Sequence, residues 1–349
     1  MYRHGLSQGL SPGIGCPAAV LANVSDSIPS YRPNLGRSLC TAAALGVVLG
    51  ALAWFGALAG ARHWRLDQLG HGVPLLWGGS ALCLAVLLWG RSWRWAGVAA
   101  ALVVACGFQV IPWFIAPSGG QGGDSGGESL RLYYANVLML NEDVAGLREK
   151  IEQSSADIVA LVEPDQEWLS ALAPALSTYP HRIENPRNDM FGIALYSKRP
   201  LASAEVIELG IGQRRQAPAL RARIQLNGAP LDLWVVHVWP PVSAAYSAER
   251  DEQLRELAGY LRESSGQSLV MGDLNTSMYA SSYRRFERAS GLQNARRGHG
   301  LLGTWPSHYP AWLRIPIDHM LVSKDLSVTH LQTLTTPGSD HLALVADIR

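Results

Sequence analysis

An α/β sandwich of two packed sheets covered by helices, preceded by three membrane-spanning helices, is the fold class that the sequence predicts. Three observations predict it. Three long runs free of charge precede residue 116. A Gly/Ser-rich stretch follows them. Beyond it, short apolar runs alternate with amphipathic helical patterns to the last residue.

Composition fits this division. The 349 residues are 48% hydrophobic and only 16% charged. A soluble chain averages about 25% charged. The length suffices for two units of ordinary domain size. Net charge is +1, which by itself neither attracts nor repels nucleic acid. The four cysteines, Cys16, Cys40, Cys83 and Cys106, all lie in the first third, which excludes a disulfide framework from the remainder.

Residues 1–38 are rich in Gly, Pro and Ser, too long for the start of a signal peptide, and read as a disordered tail. The uncharged runs cover 39–61, 73–90 and 95–115. The longest extends about 34 Å as a helix, enough for a hydrocarbon core of about 30 Å. Trp64, Trp77, Trp89, Trp93, Trp95 and Trp113 sit near the run ends, where an amphipathic ring suits the membrane interface. Three such runs without a polar face argue against core helices of a soluble domain. Arg3, Arg32 and Arg37 in the tail share a side with Arg91 and Arg94, and they outnumber Arg62 and Arg65 of the first loop. The positive-inside rule puts the richer side in the cytoplasm and everything after the third helix outside it. An integral protein of the bacterial inner or plasma membrane type is expected. Residues 116–129 (APSGGQGGDSGGES) read as a linker spanning on the order of 20 Å, which tethers the next domain without fixing its orientation.

The domain 130–349 carries strand patterns at 130–136, 158–162, 191–196, 220–226, 231–237, 268–271, 317–322 and 342–348. Helical patterns lie at 144–153, 166–176, 248–262 and 283–289. Leu254, Leu257 and Leu261 recur at helical spacing amid Arg and Glu.

Polar residues sit at the ends of these strands. Asn136 ends the first, Glu163 follows the second and His237 ends the run 231–237. Asp273 and Asn275 follow the apolar run in MGDLN. Asp318 lies inside IPIDHMLVS, and Asp340 and His341 precede the last strand. Strand ends converge on one rim of a sheet, so distant positions can share a site. Carboxylates suit a hard divalent cation. A carboxylate or histidine activates water, and amide and imidazole donors stabilise phosphoryl charge. An Asp-x-Asn after a strand is by itself a common turn cap. Asp318 in an apolar run is more telling, because an unpaired carboxylate there is costly.

The motifs YYANV, LVEPD, FGIALYSKRP, VVHVWPP, MGDLN, TWP, IDHML and SDHLAL resemble, in order, those of the endonuclease/exonuclease/phosphatase superfamily. Each motif is weak alone; eight in order cover nearly all of 130–349. The resemblance implies a DNase-I-like four-layered α/β sandwich and hydrolysis by in-line attack of water with Mg²⁺ or Mn²⁺ as Lewis acid. It implies that Glu163 binds the metal, that Asn136 supports it and that Asp340 assists. Asp273 would orient or deprotonate the attacking water, and Asn275 would hold Asp273 or a phosphate oxygen. His341 would contact the scissile phosphate with Asp318 fixing its tautomer, and His237 would act as acid or phosphate ligand. The chain departs from the pattern at Leu138, where some nucleases have a second acidic residue, and in its His237–Trp239–Pro240–Pro241 stretch. Arg187, Asn188 and Asp189 are candidate substrate contacts. His319 alternates to the other strand face and reads as structural, and Trp305 reads as a packing residue. His181, His299, His308 and His330 have no motif support.

Charge informs the substrate. Seven of the 29 Lys+Arg and four of the 28 Asp+Glu precede Ser129, so the domain has no basic surplus to draw nucleic acid. Arg214–Arg215, Arg284–Arg285 and Arg296–Arg297 are candidate local patches. Three readings remain. The expected partners of the first are the lipid bilayer and a lipid-linked phosphate or pyrophosphate such as an isoprenoid carrier. The second is an extracytoplasmic nuclease on DNA or RNA, and the third an inactive binding or sensing module. No obligate protein partner is implied.

Overall fold

The computed structural model describes residues 35–116, 127–210, 212 and 216–349. Most of the expected tail (1–38), most of the linker (116–129) and the Arg214–Arg215 pair lie outside the described residues.

Four helices come first: α1 (Leu35–Leu58), α2 (Trp64–Leu69), α3 (Val73–Trp89) and α4 (Trp93–Val110). They form three spans long and apolar enough to cross a membrane, Leu35–Leu58, Trp64–Trp89 and Trp93–Phe114. Leu49, Leu52, Phe55, Leu82 and Phe108 are exposed on them. An apolar mantle of this kind is a poor fit to water. The second span starts earlier than the uncharged run at 73, because α2 and a 3-10 turn (Gly70–Gly72) carry the helical path back to Trp64.

The remainder follows as β1 (Leu130–Asn136), α5 (Val144–Ser154), β2 (Ile158–Val162), α6 (Gln166–Leu176), β3 (His181–Asn185) and β4 (Ile193–Ser197). Then come β5 (Ser203–Leu209), β6 (Ala217–Leu226), β7 (Ala229–His237), α7 (Ala244–Glu263), β8 (Gln267–Asp273) and α8 (Ser281–Ser290). The chain closes with β9 (Gln293–Asn294), β10 (Asp318–Val322), β11 (Val328–Thr335) and β12 (Leu342–Ile348). Asp143, Asp165 and Ser243 cap α5, α6 and α7 by accepting backbone N–H bonds from Gly146, Trp168 and Tyr246.

Two six-stranded sheets result, ordered β11-β12-β1-β2-β4-β3 and β5-β6-β7-β8-β10-β9. Pairing is parallel at β1–β2 and β7–β8 and antiparallel at the other pairs. Alternation sorts each strand between two cores. Leu130, Leu132 and Tyr134 enter the core between the sheets, whereas Tyr133 and Ala135 face α5 and α6. Trp234, Val236 and Val270 face α7 and α8 on the far side. Helices, sheet, sheet and helices make the four layers. Val73, Val110 and Trp113 of the apolar helices join the α7/α8 core, so the sandwich is docked on them in a definite orientation. This departs from the loose tether expected of the linker: packing, which a composition reading cannot see, sets the orientation.

One buried charge cluster braces the second sheet. Asp232 accepts hydrogen bonds from Arg221, Arg223 and Ser264. Burial pushes its carboxyl up, but these donors outweigh burial and lower the pKa to about 2. The stabilisation is therefore complete above the ordinary carboxylate pKa of about 4 and lost as pH falls through the folded value. Asp232→Ala should lower the unfolding free energy at pH 7 by about 2 kcal/mol, since two partly exposed arginines lose their partner. An unchanged denaturant midpoint would contradict that assignment.

Candidate active site

Strand register brings the polar residues together. Asn136 pairs with Val162, which puts Glu163 beside the end of β1. His237 pairs with Asp273, and Asp273 with Asp318, so the three form one row across β7, β8 and β10. Two residues inward on the same strands, Tyr134, Val235, Met271 and Met320 belong to the inter-sheet core. Alternation carries that face outward to Asn136, His237, Asp273 and Asp318. The site is thus the open end of the central core, where apolar packing gives way to carboxylates and imidazoles.

Glu163 is nearly buried, with a backbone φ of +68°. Its Oε1 accepts from Asn136 Nδ2 at 2.9 Å and its Oε2 from the Met139 N–H at 3.2 Å. The Asn136 oxygen accepts in turn from the Leu138 N–H at 3.0 Å. Gly192 closes this corner: its carbonyl accepts from the Glu163 N–H at 2.7 Å, and a Cβ at 192 would collide with the Pro164 carbonyl. Leu138, Met190 and Asn275 also have φ between +48° and +65°. Left-handed non-glycine residues cost energy and concentrate at functional sites.

His237 Nδ1–H donates to the Met190 carbonyl at 3.0 Å, which aims Nε2 into the cleft. There Nε2 lies 3.9 Å from Glu163 Oε1 and 3.7 Å from Asp273 Oδ2. His341 Nδ1–H donates to Asp318 Oδ2 at 2.8 Å. Its Nε2 stands 3.9 Å from Asp273 Oδ2 and 3.9 Å from Asp340 Oδ1. Five side chains from four segments therefore ring one cleft, at separations slightly too long for direct hydrogen bonds.

Electrostatics differentiates them. Burial, then repulsion from Asp318, raises the Asp273 carboxyl to about 6. Burial alone would depress His341, but Asp318 and, beyond it, Asp273 and Asp340 outweigh burial and raise it to about 10. Asp318 goes the other way: burial is outweighed by His341 and by hydrogen bonds that include the Tyr134 hydroxyl, 2.9 Å from Oδ1, so its pKa is lowered. At neutral pH the arrangement offers an imidazolium donor at His341 beside an ionised carboxylate at Asp273.

Oxygen donors suit a divalent cation here. Asp273, Asp318 and His341 present ligand atoms within 4.8 Å of one another. The charge on Asp318 is already matched by His341, however. Glu163 is hydrogen-bonded by neutral amides, and burial together with the nearby Asp318 charge raises the Asp273 carboxyl. The buried acidic and histidine groups present fit a divalent cation.

Asn275 donates its backbone N–H to Asp273 Oδ1 at 2.8 Å and its amide to the Val238 carbonyl at 2.9 Å. Asp340 Oδ2 accepts from the Trp305 indole N–H at 2.9 Å, a polar duty beyond packing. Arg187 and Asp189 pair with each other, and Asp189 accepts from the Phe191 N–H, which stiffens the loop carrying the Met190 carbonyl. His319 is buried on the opposite strand face, donating from Nε2 to the Thr276 carbonyl at 2.8 Å. Arg296 is fully buried, Arg285 pairs with Asp251 and Arg297 with Glu287. Sequence reading missed Tyr134, although its place two residues before Asn136 puts it on the same strand face.

Fold and site together define a DNase-I-like hydrolase of phosphoester bonds. The chain belongs to the endonuclease/exonuclease/phosphatase family, whose model matches residues 133–341. Solved structures agree in fold. TDP2 from D. rerio, in complex with single-strand DNA product, is similar at 17% identity and a TM-score of 0.54, covering 64% of this chain and 99% of that one. A humanized D. rerio TDP2 carrying 14 mutations gives 17% identity and a TM-score of 0.53, over 63% and 99%. The Bacteroides vulgatus endonuclease/exonuclease/phosphatase gives 16% identity and 0.54, over 64% and 99%. No curated protein matches the sequence.

Proposed function

We propose that this protein is a membrane-anchored, divalent-metal-dependent phosphoesterase that cleaves a phosphate ester or pyrophosphate of a lipid-linked substrate outside the cytoplasm. The carrying observation is the ring of Glu163, His237, Asp273, His341 and Asp340 around one cleft. Bound at Glu163, with Asn136 and Asp340 in support, Mg²⁺ or Mn²⁺ would act as a Lewis acid on the phosphoryl group. Asp273 accepts a proton from the attacking water as the new P–O bond forms. His341 donates from Nε2 to a phosphoryl oxygen while Asp318 holds its other nitrogen. His237 donates to the phosphate or to the departing oxygen as the old P–O bond breaks. Asn275 keeps Asp273 oriented.

The lipid reading has its own support. Residues 305–316 begin at the site, where Trp305 holds Asp340. They end beside the apolar helices, where Ala311, Trp312, Leu313 and Ile315 face Pro74 and Leu75 across a cavity of about 150 Å³. Trp312 is 69% exposed there. A headgroup at the site and a hydrocarbon chain along this wall would suit an amphipathic substrate. The excess of Arg on the tail and second loop supports the extracytoplasmic orientation.

The test offers full-length protein in detergent micelles an isoprenyl pyrophosphate, plasmid DNA, RNA and bis(p-nitrophenyl) phosphate with Mg²⁺ or Mn²⁺. Phosphate release from the lipid, lost on adding EDTA, is the expected result. Plasmid nicking that Asp273→Ala abolishes would instead establish a nuclease. No turnover of any phosphoester with either metal would leave the binding or sensing module.

A further inference from the structure

The helix α8 lacks a cap of its own. Its N-cap residue is Ala280, whose methyl group accepts nothing from the free N–H groups of the first turn. The acceptor is Asp67 of α2, brought in from between the first two apolar helices. Its Oδ1 accepts from the Ser281 N–H at 2.6 Å and the Ser282 N–H at 3.2 Å. Its Oδ2 accepts from Ser282 Oγ at 2.7 Å and from Arg250 Nη2 at 3.2 Å. Asp67 is 3% exposed and Arg250 1%. Gly70 presses on the same turn so closely that a Cβ would lie 2.9 Å from Ala280 Cα.

These contacts converge on the loop that follows Asp273. Arg250 Nη1 donates to the Asn275 carbonyl at 3.3 Å. Thr276 Oγ1 and Ser282 Oγ share a hydrogen bond of 2.9 Å. His71 Nδ1 and Ser277 Oγ share one of 2.8 Å. Residues 275, 276 and 277 are therefore each tied, directly or through one partner, to the segment between α1 and α3. The Asn275 N–H in turn fixes Asp273 Oδ1, and the Thr276 carbonyl holds His319, the neighbour of Asp318. A docking surface serving only adhesion would have no need to spend a buried carboxylate–guanidinium pair on this loop.

We propose that Asp67 and His71 are positioning residues for the hydrolytic reaction: the turn between the first two apolar helices holds residues 273–277 in working geometry. The anchor is then part of the catalytic unit. The proposal rests on Asp273 acting in hydrolysis, as proposed above.

The test uses the full chain in detergent micelles with Mn²⁺ and bis(p-nitrophenyl) phosphate. Asp67→Asn keeps the shape and removes the charge. It should lower kcat by about 10- to 100-fold with KM within about twofold, because a misplaced reacting group costs rate rather than binding. Asp232→Ala, destabilised elsewhere and far from the loop, should keep the wild-type kcat. Hydrogen–deuterium exchange of Asp67→Asn should accelerate within 273–282 and little beyond. Wild-type kcat in folded Asp67→Asn would overturn the proposal, as would an equal kcat loss in Asp232→Ala. If the wild type turns over no phosphoester, the hydrolase reading fails by itself. The exchange experiment then still decides whether the turn holds the loop, and unchanged protection of 273–282 would refute it.

Discussion

Asp273→Asn should lower kcat by about 10³-fold on any phosphoester the protein hydrolyses, the range for losing a general base. The same change should leave the folded state as stable as before, or more stable. Asp273 is 2% exposed, and burial and the nearby Asp318 charge already raise its carboxyl to about 6. Maintaining that charge costs stability. The amide oxygen of Asn can still accept from the Asn275 N–H, so the loop keeps its anchor. Activity and stability should therefore move in opposite directions, as they do where a site stores electrostatic strain. The measurement pairs kcat with a thermal melt on the same preparation. A variant retaining more than about a tenth of wild-type kcat would remove Asp273 from the role of base.

Asp318→Asn should be nearly as damaging, at about 10²- to 10⁴-fold in kcat, although Asp318 touches no substrate. Two things are lost together. The charge that keeps His341 protonated disappears, so its pKa falls from about 10 toward the level that burial dictates. The tautomer also changes. Tyr134 donates to one oxygen of Asp318, so an asparagine would turn its NH₂ toward His341 Nδ1, which must then accept. In the wild type the imidazolium presents an Nε2–H donor backed by a carboxylate; the variant would present a neutral ring. His341→Ala in the Asp318→Asn background should cost little more than the larger single loss, because the two act as a unit. Additive losses would separate them. Nitrogen-15 shifts of the His341 ring report the tautomer directly.

The parts of this fold that were legible in the sequence are those that burial writes twice, in composition and in period. The central strands β1, β2, β7, β8, β10 and β12 are uninterrupted or alternating apolar runs, and they were readable. The strands β3, β5 and β11 were not, because they lie at or near sheet edges: Ser203–Leu209 is largely exposed and His181–Asn185 alternates between exposed and partly buried residues. The helix α2 is hidden in the sequence because Arg65 and Asp67 interrupt the apolar run. Asp67 is satisfied by Ser281, Ser282 and Arg250 far along the chain, and no local pattern announces such partners. The site residues at strand ends were visible as polar residues continuing an apolar face. Tyr134 was hidden by its resemblance to ordinary core, and the Met190 carbonyl by being backbone.

The row His237–Asp273–Asp318 divides labour between scaffold and rim. All three are placed by strand pairing, and shifting β10 by a single residue would put His319 where Asp318 stands. Such a slip would also turn Met320 and Val322 out of the central core, so the hydrophobic packing polices the chemistry. Residues 239–243 and 308–313 carry no such constraint, because they flank the row without setting its register or holding its side chains. Insertions there can reshape what enters the cleft while the hydrolytic groups stay fixed, which makes this architecture tolerant of changing substrates over evolution.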